Sequence, residues 1–412
     1  MPERVSTGRR PAPRRSGAFT ARQTGRWVRL LLVNVVVLGV ALEMGLRLGS
    51  LVSASLRRIL YQREAWPGQD YRDVRSARDL TAAAWQGLGP YGDCDGFVLN
   101  RDGLRTTDYA LARRPGTRRI VVLGDSCFVE AGGVRDADHV VTRLTAALGT
   151  RMPTEVLDLA ATGTGPRFYR RMLEVEGVRL APDAVVVGFF VGNDLTDEPV
   201  DAWTFTPAAR LGARWWGFRL ARNLVHLATY TPDPGMAFRQ PWRPSWPRQA
   251  GAVRAYPFPG EPEPALTDAA WFAQQRDRSI VFDPAWLPEL MAQWAAVRET
   301  LAGIAEVSAV AGARLLVVVI PDETQVNPAL AARVCTARGG VPLDLDKPQR
   351  LLGAFLRERG VAALDLLPEF RARAAAGVSL YMPRDGHWNA AGQRLAAVRI
   401  AARLEALLAP GR

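Results

Sequence analysis

The apolar run Ile120-Val121-Val122-Leu123 passes without a break into Gly124-Asp125-Ser126. Four consecutive apolar residues rich in β-branching, with no polar alternation, suit a strand covered on both faces, which is the strand of a parallel α/β sheet. Such a strand delivers its last residues to the carboxyl edge of the sheet, where open α/β folds place their sites. A serine hydroxyl there is positioned to act as a nucleophile. The tripeptide also occurs in proteins that do no serine chemistry, so its meaning depends on what else the chain brings to the same edge.

Three segments bear on that question. Asp385-Gly386-His387-Trp388-Asn389 stands before a helical pattern at 390–408. Serine needs a base to take its proton, and histidine serves best when a carboxylate fixes its tautomer; Asp385 and His387 can form that pair. The chain has three histidines. His139, in a helix-like stretch, and His226, within Leu224-Val225-His226-Leu227, both read as structural. Val185 to Phe190 is a second β-rich run, and it leads into Val191-Gly192-Asn193-Asp194, where the Asn193 amide can donate to a developing oxyanion. Val156-Leu157-Asp158-Leu159 runs into the small-residue loop Ala160 to Gly165, whose Gly163 N–H is unobstructed and could give a second bond to the same oxygen.

Ser, Gly, Asn and His in this order on successive strand ends resemble the SGNH or GDSL hydrolase superfamily. The resemblance covers roughly 118–408 and reaches back to Asn100-Arg101-Asp102-Gly103-Leu104-Arg105, which looks like the segment before the nucleophile strand in membrane-anchored bacterial members. It implies Ser126 as nucleophile, His387 as base and Asp385 as acid, with an oxyanion hole from the Ser126 and Gly163 N–H groups and the Asn193 side chain. It also implies acyl-ester chemistry through an acyl-enzyme, with acylated carbohydrate or another ester as substrate. Hydrolysis is the leading outcome, and transfer to a sugar hydroxyl is the alternative. The chain departs from the family pattern twice. Asp-x-His followed by Trp replaces the usual Asp-x-x-His, as in bacterial polysaccharide-acetylation proteins, and Asp158 stands where the second block usually has Asn.

Other positions have plainer readings. Asp125 suits a helix cap and Asp194 a turn, while Trp388 suits packing beside the histidine. Asp322-Glu323, after a strand end, is left unassigned. With no metal-ligand cluster and no phosphate-binding glycine fingerprint, the chemistry as read calls for no cofactor.

The expected fold is α/β, a flavodoxin-like three-layer α/β/α sandwich with parallel strands at 119–123, 155–159, 184–190, 314–320 and 362–366. Helices near 285–311, 348–359 and 390–408 would be packed on both faces by right-handed crossovers. The motifs spread through most of the 412 residues, which favours one elaborated domain over two. Its expected extent is 116–412, with a Trp- and Pro-rich insertion at about 198–284 that would project over the carboxyl edge as a lid or substrate platform. Residues 49–115 are expected to lead into it.

The N-terminus has a different character. Residues 1–29 hold eight arginines against one acid, Glu3, a large share of the formal net charge of +12. The basic balance is therefore mostly that of a tail, expected to be disordered over 1–26, and no basic stripe with aromatic interleaving points to nucleic acid. Next comes Leu30 to Leu42, flanked by Trp27 and Arg29 and, beyond it, Glu43 and Arg47. The span 27–48 reads as one transmembrane anchor. Its rival is a cleaved signal peptide of similar apolar length. The arginines place the tail in the cytoplasm and the remainder in the periplasm or outside, tied to a bacterial inner membrane by one helix. Three cysteines make no disulfide framework, and a Cys94–Cys335 bridge is left open.

Overall fold

The computed structural model describes residues 21–53, 99–129, 134–150, 153–196 and 268–409, with isolated positions between 56 and 98 and between 215 and 224. The expected tail before residue 21, His226, and the insertion's Trp203, Trp242 and Trp246 lie outside the described residues.

Five parallel strands form the central sheet: β3 (Arg118–Leu123), β4 (Thr154–Asp158), β5 (Ala184–Phe190), β6 (Arg314–Ile320) and β7 (Ala362–Asp365), in the order β4-β3-β5-β6-β7. A small antiparallel ribbon, β1 (Asp93–Cys94) with β2 (Phe97–Val98), precedes them. Every residue of β5 is buried, as expected for a run with no polar alternation in the middle of a covered sheet. Alternate residues of β3 serve opposite layers. Val121 and Leu123 join one apolar cluster with helix α4 (Pro166–Met172), α6 (Pro288–Val310) and α9 (Lys347–Glu358). Ile120 and Val122 join the other, with α2 (Ser126–Val129), α3 (Val140–Gly149), α10 (Leu367–Ala375) and α11 (Ala390–Leu408). The result is the three-layer α/β/α sandwich, and the chain reverses its direction of travel across the sheet between β3 and β5, the switch point where α/β folds open a crevice.

The strand boundaries differ from expectation by a residue where charge intrudes. β3 starts at Arg118, and Arg119 is buried within it because its guanidinium donates to the carbonyl oxygens of Ala110, Leu111 and Leu180 and pairs with Glu155 at 2.8 Å. Those carbonyls show that the segment expected merely to lead into the domain is packed on it. Leu80, Leu104 and Tyr109 lie in the same apolar cluster as the sheet.

The apolar N-terminal segment is one continuous helix, α1 (Ala21–Val52), so helix starts inside the expected tail, at residues that favour it. Within it, Arg26–Gly49 has mean hydropathy 2.0 and is long and apolar enough to cross a membrane. Cys335 is a free thiol that donates to the Val341 carbonyl at 3.2 Å, so the open Cys94–Cys335 bridge is not formed.

Candidate active site

Ser126 opens α2 directly after β3. The tight strand-to-helix turn is held by Asp125, whose Oδ1 accepts the Cys127 N–H at 2.9 Å, the cap read from sequence. Phe128 presses this short helix on the sheet beside Gly188, where a Cβ would come within 2.0–2.2 Å of the Phe128 ring. Only glycine allows that approach. From the other side Arg105 donates to the Val129 carbonyl at 2.6 Å, and Asn100, which accepts the Asp102 and Leu104 N–H groups at 2.9 Å, shapes the turn that delivers it.

His387 arrives from 261 positions later in the chain. It sits on a loop closed by an isolated bridge between Tyr381 and Trp388, in which the Met382 N–H donates to the His387 carbonyl at 2.8 Å and the Asn389 N–H to the Leu380 carbonyl at 3.0 Å. Gly386 turns the chain at φ +90°, a left-handed conformation suited to glycine. Asn389 caps α11 through the Ala391 and Gly392 N–H groups. Trp388 is fully buried with its ring 5.4 Å from that of Phe370, the packing role expected of it.

The Ser126 hydroxyl lies 2.8 Å from His387 Nε2, and His387 Nδ1 is hydrogen-bonded to Asp385 Oδ1. An ionised carboxylate can only accept, so Nδ1 carries the ring proton and Nε2 is left to accept from the serine. Burial pushes the Asp385 carboxyl up, but the imidazole and its hydrogen bonds outweigh it and hold the group below the usual carboxylate range. A hydroxyl bonded to an imidazole that a carboxylate orients is the arrangement that activates serine for acyl transfer.

Two of the expected oxyanion donors, Asn193 and Gly163, lie just past strands β5 and β4. Asn193 stands just past β5, and its Nδ2 donates to Asp125 Oδ2 at 3.2 Å, leaving its second amide proton uncommitted among the described residues. Gly163 sits in the turn after β4 at φ +66°; the loop is fastened to the end of β3 by the Ala161 N–H on the Gly124 carbonyl at 3.0 Å. Asp194 accepts from the Phe190 N–H and the Tyr169 hydroxyl, each at 2.9 Å, and is structural as read. His139 is buried with its Nε2 on the Phe128 carbonyl at 2.5 Å, and burial lowers it to about 3.

The full roles of four groups could not be read from the sequence. Asp125 does more than cap: it holds the Asn193 amide, and burial pushes its carboxyl up against the pull of Cys127, His387 and Asn193. Asp158 is buried completely, with Oδ1 on the Ala160 N–H at 3.0 Å and Oδ2 without a partner, and burial raises it to about 7. Asp322 forms a capping box at α7 (Glu323–Val326), while Glu323 beside it is raised to about 7 by burial, by Asp322 and by Asp385. Arg278, on α5 (Asp268–Arg278), stacks 5.6 Å from Phe190 and helps keep Asp385 ionised.

A family model described as the SGNH hydrolase-like domain of the acetyltransferase AlgX matches residues 286–411. Similar solved structures include TesA, at 15% identity over 70% of this chain and 99% of that one, with a TM-score of 0.37. A two-domain esterase active on acetylated mannans, co-crystallised with mannopentaose, is 13% identical over 71% of this chain and 50% of its own, with a TM-score of 0.35. The lipase/acylhydrolase from Enterococcus faecalis is 12% identical over 72% and 99%, with a TM-score of 0.34. No curated protein sequence matches the chain. The family match spans the part of the sheet that delivers His387, and that histidine ends on a serine lying outside the match. Residues 286–411, less than half of the chain, are thus similar to an SGNH hydrolase-like domain.

Proposed function

We propose that the protein is a membrane-anchored serine esterase that removes acyl groups, O-acetyl in the first place, from carbohydrate of the cell envelope. The observation that carries this reading is the bonded series Ser126–His387–Asp385 at the carboxyl edge of the sheet. Ser126 Oγ attacks the ester carbonyl while His387 Nε2 takes its proton. The Ser126 and Gly163 N–H groups and the Asn193 amide receive the oxyanion, and Asp125 keeps that amide aimed. His387 then returns the proton to the departing sugar oxygen, leaving an acyl-serine. Water activated by the same histidine releases the acid. The apolar helix supports anchoring, with the arginine tail cytoplasmic and the catalytic domain periplasmic or extracellular.

The second reading replaces water by a sugar hydroxyl, so the acyl group is moved rather than released. The matched family's description as an acetyltransferase domain favours it. Product analysis separates the two: the full-length protein incubated with an acetyl ester and an oligosaccharide acceptor yields free acetate alone under the first reading. Acetylated oligosaccharide in excess of acetate would establish the second. Absence of both products with every ester offered would remove the acyl-enzyme itself.

A further inference from the structure

The outer end of α1 is occupied by part of the insertion. Glu43 Oε2 accepts the backbone N–H groups of Trp216 at 2.7 Å and Gly217 at 3.3 Å. Its Oε1 is paired with Arg47 at 2.7 Å, whose guanidinium lies 5.0 Å over the Trp216 ring. Gly39 faces the Trp215 ring, at 3.5 Å from where a Cβ would stand, and Leu42 lies against Gly217. Trp216 is buried in one apolar cluster with Leu46, and the described positions Trp216, Gly217, Leu220, Ala221 and Leu224 are helical.

The level of these contacts matters. Glu43 is 16 residues beyond Trp27, so at 1.5 Å per residue it lies about 24 Å along an apolar core about 30 Å thick. Gly39 is a turn deeper. A carboxylate at that level is costly unless paired and turned toward protein, and its partners are Arg47 and the 216–217 amides. Whatever meets Gly39, Leu42 and Glu43 in an α1 that spans the bilayer meets lipid on its other side. The stretch suits that place: Trp215-Trp216-Gly217-Phe218-Arg219-Leu220-Ala221-Arg222-Asn223-Leu224 is apolar and aromatic with arginine as its only charge, the composition of a helix lying in an anionic interface. Trp215 and Leu224 are 45% and 47% exposed, although large and apolar.

We infer that Trp215 and the helical positions Trp216, Gly217, Leu220, Ala221 and Leu224 belong to a second membrane-contacting element, clamped to α1 by Glu43 and lying in the outer interface of the bilayer. It rests on the reading of α1 as a membrane anchor.

Lipid photo-crosslinking tests this on the full chain in vesicles of phosphatidylethanolamine and phosphatidylglycerol. A benzophenone amino acid is placed at Trp215, at Leu224, at Val36 within α1, and at Val310, which is 90% exposed on α6. All four positions are 45–90% exposed. Lipid adducts at 215 and 224 are expected at least about tenfold above those at 310, approaching those at 36. The adduct at 215 should fall in Glu43→Leu while that at 36 holds. Adducts at 36 without adducts at 215 and 224 would overturn the inference and leave the anchor standing, as would crosslinking of 215 to a second copy of the chain instead of lipid. An unchanged adduct at 215 in Glu43→Leu would overturn the clamp. No adduct at 36 would remove the anchor reading, and this inference with it.

Discussion

The nucleophile turn and the histidine loop meet within one hydrogen bond yet are built on opposite principles. Ser126 follows a strand whose last five residues are buried, and its helix is wedged between Gly188 and the Arg105 guanidinium. Its position is a by-product of the sheet. His387 has no strand beneath it; one bridge, two backbone hydrogen bonds, the Asn389 cap and the Trp388 ring hold it. Damage to the first region should therefore register as lost stability before lost chemistry. Damage to the second should register as lost chemistry with modest loss of stability.

The largest expected effects treat the two regions alike, because the reaction needs both. Ser126→Ala and His387→Ala should each lower kcat by more than about 10⁴-fold, and Asp385→Asn by about 10⁴-fold through the wrong tautomer, with unchanged thermal melting. A His387→Ala enzyme retaining most of its activity would mean that the loop is not part of the site. Asn193→Ala comes next, with about 10²- to 10³-fold loss in kcat and little change in KM, since an oxyanion donor acts in the transition state; a change confined to KM would assign the amide to substrate binding instead.

Asp158→Asn probes the polar floor under the nucleophile. The folded carboxyl titrates at about 7, against about 3.9 in the unfolded chain. The folded state thus keeps a proton between those values that the unfolded state has released, and stability falls as pH rises from about 4 to about 7. The Asn variant lacks that slope. With an amide left without an acceptor costing about 2 kcal/mol at every pH, it should be about 2 kcal/mol less stable than the wild type near pH 4 and about 2 kcal/mol more stable at pH 8. Denaturant melts at the two pH values check this, and a destabilised variant at pH 8 would contradict it.

The smallest effects separate the two regions. Gly188→Ala forces a methyl into the Phe128 ring and should cost about 1–3 kcal/mol. Asn389→Ala should cost about 1 kcal/mol as a lost cap, yet reduce kcat more per unit of lost stability, because the same side chain also fastens the loop to the Ser379 carbonyl at 2.9 Å. Paired melting and rate measurements on the two variants would reverse the comparison if Gly188→Ala proved the more selective for activity.

The layers were legible where apolar runs are continuous. β5, β6 and α11 have the expected ends, since nothing polar interrupts the strands and Asn389 announces the helix. β3 begins a residue earlier than read, at the exposed Arg118, which pairs with Asp183; that Arg119 inside it is buried could not be read, since only the Ala110, Leu111 and Leu180 carbonyls distinguish it from an exposed arginine. As candidates, Ser126, Gly163 and Asn193 were legible because they follow strand ends, and His387 because Asp385 stands two residues before it. The contacts that hold them were not: Asp125 on Asn193, Arg105 on Val129 and Glu43 on Trp216 join residues 68, 24 and 173 positions apart, and no local spacing encodes such pairings.

The central claim is that Ser126, activated by His387, carries the acyl group. A fluorophosphonate reacts irreversibly with such a serine, and peptide mass spectrometry reads where it lands. The full-length protein should gain one adduct, on the peptide containing Ser126, abolished in Ser126→Ala and strongly slowed in His387→Ala. A protein that turns over esters while Ser126 remains unlabelled, or that is labelled at another residue, would contradict the account.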